Sequence, residues 1–209
     1  MARVKICGLK EPETVAACVD AGARYIGFNF YSKSKRSVSP TVAAALSADI
    51  PPGVAKVALV VDADDAFLDA LTAEVPIDMI QLHGSESPAR VAEVKNRYGL
   101  PVMKALGVGS AEDVEVIAAF EDVADQLLLD AKPGPEELPG GNGLRFDWRL
   151  IAGRSFKRPW MLAGGLTPQT VGEAIERTGA LQVDVASGVE SAPGVKDSEL
   201  IRAFVQAAS

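Results

Sequence analysis

The sequence predicts an α/β fold, a single-domain (β/α)8 TIM barrel with a closed sheet of eight parallel strands, on three observations. Short strand-like runs alternate with helical patterns eight times along the chain. Several strands carry polar residues on the face of their last residue: Lys5 beneath Cys7, Gln81 beneath His83, and Gln126 beneath Asp130. A central strand of an open doubly wound sheet, the structural rival, is covered on both faces and would read as nearly continuous hydrophobics. Asp184, in the Val183-Asp184-Val185 alternation, joins this inward set in one register, and strands one and eight are neighbours only if the sheet closes. The expectation is a Lys5–Asp184 pair inside the barrel.

In chain order, Arg3–Cys7 alternates charged and apolar residues and stops at Gly8, which makes it strand one. Glu11–Ala21 is a helix, with Pro12 near its start, Val15, Cys18 and Val19 at helical spacing, and Gly22 at its end. Arg24–Phe30 is a strand, 31–39 a basic loop, and Pro40–Ala48 a helix opened by a Ser-Pro pair. The alternation continues through Val54–Val61 and Asp65–Ala73, Asp78–His83 and Ser87–Tyr98, then Pro101–Leu106 and Ala111–Phe120. Three more units follow: Ala124–Asp130 with a helix near 147–151, Pro159–Ala163 with Pro168–Arg177, and Leu181–Ala186 with Asp197–Ala207.

The 209 residues, 48% of them apolar, support one substantial core, and no composition shift divides residues 1–209. A net charge of -7 disfavours a nucleic-acid surface but leaves room for a small anionic ligand held by a few local groups. Residues 1–15 lack a signal-peptide core, and no run approaches the ~18 apolar residues that would span a membrane. A cytoplasmic location is expected, with Cys7 and Cys18 as free thiols.

Barrel enzymes keep their chemistry at the C-terminal ends of the strands. Cys7, His83 and Asp130 stand there on strands one, four and six. A cysteine is often only a small buried hydrophobe, the reading kept for Cys18, but the rim position of Cys7 favours chemistry. His83 is the single histidine, so a multi-histidine metal site is ruled out; it reads as a rim hydrogen-bonding group. Asp130 closes the run Leu127-Leu128-Leu129 and is either a turn residue or a reacting carboxyl, its place opposite strand one favouring the second. Gly164-Gly165, before a helix beginning near Thr167, and Ser187-Gly188, after strand eight, offer backbone N–H groups for a phosphate. The glycine-rich 139–143, with Gly141 and Gly143, reads as a cover contributing to that site or as an inert connector. In the loop 33–36, mostly a solvated face, an arginine can clamp a carboxylate bidentately.

Several stretches together resemble a known family: Lys5-Ile6-Cys7-Gly8-Leu9, Ser34-Lys35-Arg36-Ser37, Gln81-Leu82-His83-Gly84, Leu129-Asp130, Ala163-Gly164-Gly165-Leu166, Ser187-Gly188-Val189-Glu190 and Pro193-Gly194-Val195-Lys196-Asp197. In order and spacing they are similar to the phosphoribosylanthranilate isomerases of tryptophan biosynthesis. The resemblance implies an Amadori rearrangement of N-(5'-phosphoribosyl)anthranilate with no cofactor. It also implies a phosphorylated small-molecule substrate, neighbours in the tryptophan pathway, and a monomer or homodimer. By similarity Asp130 is the general acid and Cys7 the general base. Arg36 holds the anthranilate carboxylate, His83 lines the site, and Gly141, Gly143, Gly164, Gly165, Ser187 and Gly188 hold the phosphate. The rivals are a histidine-pathway or dual aminoaldose isomerase, which uses a carboxylate where Cys7 stands, and a silent phosphate-binding barrel.

Overall fold

The structure, a computed structural model, describes residues 2–132 and 147–209. Eight parallel strands pair in sequence order and close into a ring: β1 (Arg3–Cys7), β2 (Tyr25–Asn29), β3 (Ala55–Val60), β4 (Met79–Leu82), β5 (Val102–Val108), β6 (Gln126–Ala131), β7 (Trp160–Leu162) and β8 (Gln182–Val185). Closure is carried by β1 against β8, where Lys5 stands level with Asp184.

The helices α1 (Pro12–Ala21), α2 (Pro40–Ser47), α3 (Asp65–Glu74) and α4 (Pro88–Tyr98) fill the first four crossovers. Their ends follow local chemistry. Ser39, Asp64 and Ser87 each accept a first-turn N–H of the helix they precede, at Val42, Phe67 and Arg90. Lys95 and Arg97 lie in the last turn of α4, against the negative end of its dipole. The expected fifth helix is in two pieces, α5 (Ala111–Val116) and α6 (Ala118–Glu121). The Ile117 and Phe120 amides donate to the carbonyls of Val114 and Ile117, three residues back, which tightens the junction.

The crossover after β6 departs from expectation. The helix placed near 147–151 is a single 3₁₀ turn, Trp148–Leu150. The left-handed Gly153 and then Pro159 leave no room to extend it, and Phe156 packs edge-on against Trp160 at 5.4 Å. After β7, the helix expected from near Thr167, over Pro168–Arg177, begins later: the Thr167 carbonyl accepts the amides of Thr170 and Val171 in a turn that leads into α7 (Val171–Thr178). After β8 comes a 3₁₀ turn at Ser187–Val189, then an unforeseen hairpin, β9 (Glu190–Ala192) with β10 (Val195–Lys196), and finally α8 (Ser198–Ala207).

Two apolar cores result. The larger lies between sheet and helices and includes Ile26, Phe28, Leu68, Leu71, Ile80 and Phe204. The smaller fills the barrel with Met103, Ala105, Leu128, Met161 and Ala163. Polar side chains share that interior: the Gln182 Oε1 accepts from the Tyr25 hydroxyl at 2.8 Å and from Gln126 Nε2 at 3.2 Å. Lys5 Nζ meets Asp184 Oδ1 at 2.9 Å, as the inward alternation implied. Removing one partner of a buried pair strands the other charge away from water, at a cost of about 3–5 kcal/mol. Asp184→Asn is therefore expected to lower unfolding free energy by about that amount, read as a lower urea midpoint at unchanged slope.

Candidate active site

Cys7 ends β1, Asp130 lies one residue from the end of β6, and His83 directly follows β4, so all three stand at the C-terminal mouth. In the ring β7 and β8 separate β6 from β1, which puts the thiol and the carboxyl on different sides of that mouth.

Around Cys7 the geometry depends on a neighbour without a side chain. A Cβ at Gly27, level with Cys7 on β2, would stand 2.9 Å from the sulfur and 3.2 Å from Lys5 Nζ. Thiol and ammonium thus converge on the space that the glycine leaves. The thiol is buried, and burial pushes its pKa up by more than Lys5 and Lys196 pull it down, Asp184 adding to the rise. Burial alone would depress the Lys5 ammonium, but Asp184 and then Cys7 hold it above its ordinary value. Cys18 is pushed up to about 12 by burial, as its packing role implies.

Arg36 is placed by the end of β2. Asn29 Oδ1 accepts the Tyr31 amide at 2.8 Å, and Asn29 Nδ2 donates to the Ser34 hydroxyl, which accepts the Arg36 amide at 3.2 Å. The guanidinium meets a carboxylate of this chain, with Nε 2.7 Å from Glu190 Oε1 and Nη2 2.8 Å from Glu190 Oε2. Lys196 Nζ, almost fully buried, donates to the same Oε1 and to the Ala186 carbonyl. Burial lowers its pKa against the pull of Glu190. Burial raises the Glu190 carboxyl, but Arg36 and Lys196 override this and bring it down to about 2. That folded value lies below the ~4.3 of an unfolded glutamate. The network's stabilisation is therefore complete above about pH 4.3 and is lost as the pH falls toward about 2. Denaturant midpoints between pH 6 and pH 2.5 should fall less steeply for Glu190→Gln than for wild type.

Neither Glu190 nor Lys196 was singled out for a role. The available signal was Pro193-Gly194, which offers a residue with positive φ at the second central position of a turn. Gly194 has φ 84, and the hairpin it closes delivers Glu190 and Lys196 to the mouth.

The loop after β4 is fastened from behind. Glu86 accepts the Gly84 amide at 2.9 Å and the Asp62 amide at 2.9 Å, and pairs with buried Lys104 at 2.7 Å. This frame holds His83, whose Nε2 lies 3.4 Å from Asp130 Oδ2. Asp130 Oδ1 accepts the Ala131 amide at 2.8 Å. The arrangement includes the turn contact expected of a strand-end Asp and leaves the other oxygen toward His83.

Gly164 and Gly165 both take positive φ in the turn after β7. A Cβ at Gly188 would overlap the Leu166 carbonyl, so the loops after β7 and β8 touch because position 188 has no side chain. Gly141 and Gly143 lie outside the described residues. Among the described residues no group of three His, Cys, Asp or Glu side chains could hold a metal ion, and no helix is long and apolar enough to cross a membrane.

Residues 4–207 match the family model described as N-(5'phosphoribosyl)anthranilate (PRA) isomerase. The N-(5'-phosphoribosyl)anthranilate isomerase of Paracoccus denitrificans is 62% identical over 207 residues, 99% of this chain and 96% of that one. The crystal structure of phosphoribosyl anthranilate isomerase from Thermotoga maritima superposes with a TM-score of 0.89 at 37% identity, covering 100% of this chain and 98% of that one. A phosphoribosyl anthranilate isomerase in complex with reduced 1-(o-carboxyphenylamino)-1-deoxyribulose 5-phosphate superposes with a TM-score of 0.86 at 35% identity, again over 100% and 98%. A match this even along both chains leaves no part of the barrel unaccounted for, and the chain belongs to the N-(5'-phosphoribosyl)anthranilate isomerase family.

Proposed function

We propose that Asp130 and Cys7 act as the general acid and general base of a phosphoribosylanthranilate isomerase. The activity, isomerisation of N-(5'-phosphoribosyl)anthranilate within tryptophan biosynthesis, follows from membership of the family. The acid and base assignment rests chiefly on one observation: a thiol flanked by two buried ammonium groups and a carboxyl backed by an imidazole stand on different sides of one barrel mouth.

Asp130 gives its proton to the ribose ring oxygen as the C1'–O bond breaks, and the anthranilate nitrogen lone pair forms the iminium. The Cys7 thiolate then takes the C2' proton, and the C–H electron pair neutralises the iminium to give the enolamine. Tautomerisation yields 1-(o-carboxyphenylamino)-1-deoxyribulose 5-phosphate with no net oxidation. Arg36, oriented by Glu190, receives the anthranilate carboxylate, where a planar fork gives direction that a lysine would not. The adjoining turns at Gly164-Gly165 and Ser187-Gly188 present backbone amides to the phosphate. His83 lines the substrate side of Asp130. The proposed location is the cytoplasm, and the substrate a phosphorylated small molecule.

The test generates phosphoribosylanthranilate in situ from anthranilate and phosphoribosyl pyrophosphate with the partner transferase. Loss of its fluorescence on adding this protein is the expected result. A folded sample that leaves the fluorescence unchanged overturns the reading.

A further inference from the structure

His83 is the only histidine of the chain, and its two ring nitrogens are engaged in different directions. Gln81, two residues earlier on the same face of β4 and fully buried, places its Nε2 2.8 Å from His83 Nδ1. On its other side the ring offers Nε2 to Asp130 Oδ2 at 3.4 Å. An amide NH2 only donates, so in this arrangement Nδ1 is the acceptor and the ring proton sits on Nε2, pointing at the carboxyl. Turning the amide over would put Oε1 against Nδ1, move the ring proton there, and leave a lone pair facing Asp130.

The two arrangements differ in what they leave unpaired. In the first, the buried Gln81 Oε1 has no hydrogen-bond partner among the described residues. In the second, the NH2 group would occupy that place with no acceptor. Buried N–H groups without partners are rarer in folded proteins than under-satisfied carbonyl oxygens. With Asp130 ionised, a lone pair aimed at its oxygen is repulsive as well; with Asp130 protonated, the pairing of the buried Gln81 amide alone selects the first arrangement.

We propose that Gln81 is a positioning residue for the reaction: it fixes His83 as the Nε2–H tautomer, so that a neutral donor is aimed at the Asp130 carboxyl. The proposal rests on Asp130 being the general acid. As Asp130 hands its proton to the ring oxygen, negative charge develops on the carboxylate. A donor already standing beside Oδ2 has only to close a short gap to stabilise that charge. At 3.4 Å the contact is longer than a formed hydrogen bond, and it shortens as the charge appears.

The single histidine makes the experiment free of assignment. Protein labelled with 15N-histidine is examined by long-range 1H–15N correlation at about pH 8. The wild-type spectrum is expected to show Nε2 protonated and Nδ1 bare; the opposite tautomer overturns the proposal. Gln81→Glu puts an acceptor on Nδ1 and should invert the tautomer. It should also lower kcat about 100-fold, the low end of what acid–base catalysis contributes, at nearly constant KM. Gln81→Met removes the donor at similar volume and should give a mixture of tautomers. An unchanged tautomer in folded Gln81→Met, or an inverted one in Gln81→Glu with unchanged kcat, removes the role from Gln81. The wild-type spectrum and Gln81→Met decide the matter if Gln81→Glu does not fold. The spectra are recorded without substrate, so they judge Gln81 separately from Asp130, whose acid role fails on its own if Asp130→Asn turns over normally.

Discussion

Replacing Cys7 by alanine is expected to lower kcat by about 10³-fold or more, within the range that a positioned acid or base contributes, while KM changes little. On the proposed assignment the thiol serves proton abstraction, and the groups proposed for binding are elsewhere: Arg36 in the loop after β2, the glycine turns after β7 and β8. Alanine keeps the backbone of β1 and the Lys5–Asp184 pair beneath it, so the loss should not be one of folding. Cys7→Ser, close in shape but with a far weaker acid in place of the thiol, should stay near the alanine level. The fluorescence assay reads both variants, and near-normal turnover in either refutes the role of Cys7. The chemistry asks much of the site. At reference pKa values of about 3.9 for Asp and 8.5 for Cys, a thiolate beside a neutral carboxylic acid lies roughly 6 kcal/mol uphill. Burial raises the thiol further, so the counter-forces are the ammonium groups of Lys5 and Lys196 and the cation that ring opening creates in the substrate. Asp184 competes for Lys5, which limits how far that charge serves the thiol.

Asp130→Asn should be nearly as damaging, lowering kcat by about 10²- to 10⁴-fold at nearly constant KM. The amide retains an oxygen for the Ala131 N–H, so the end of β6 should keep its shape. It has no proton to give to the ribose oxygen. Without an acid ring opening would stall, and little iminium would form for Cys7 to act on. Single-turnover mixing separates the two variants. Cys7→Ala should bind substrate and permit ring opening, whereas Asp130→Asn should bind it and leave the ring closed. Unchanged kcat in Asp130→Asn would reduce the carboxyl to the turn residue that its bond to Ala131 allows.

How much of this was legible in the sequence varies residue by residue. The inward Lys5 was readable because strand side chains alternate strictly, and a lysine on the covered face of a strand needs a partner. Asp184 could be named as that partner because closure brings β8 to β1. The helix assigned near 147–151 was misread: the polar and aromatic pattern there serves a single 3₁₀ turn, with Trp148, Phe156 and Trp160 packed against the core beside it. Arg36 was legible as a carboxylate clamp but not as the partner of Glu190, which lies 154 residues away.

The sequence by itself determined the alternation of strands and helices, the rim positions of Cys7, His83 and Asp130, and the paired glycine turns. These follow from short-range rules of period, capping and turn chemistry that act within a few residues. Only the tertiary structure decided which groups share an environment: Lys5 and Lys196 with the thiol, Glu190 between Arg36 and Lys196, Gln81 behind His83 and His83 before Asp130. Charge and proton position depend on distances of a few ångströms between strands, and strand period says which way a side chain points but not what meets it there.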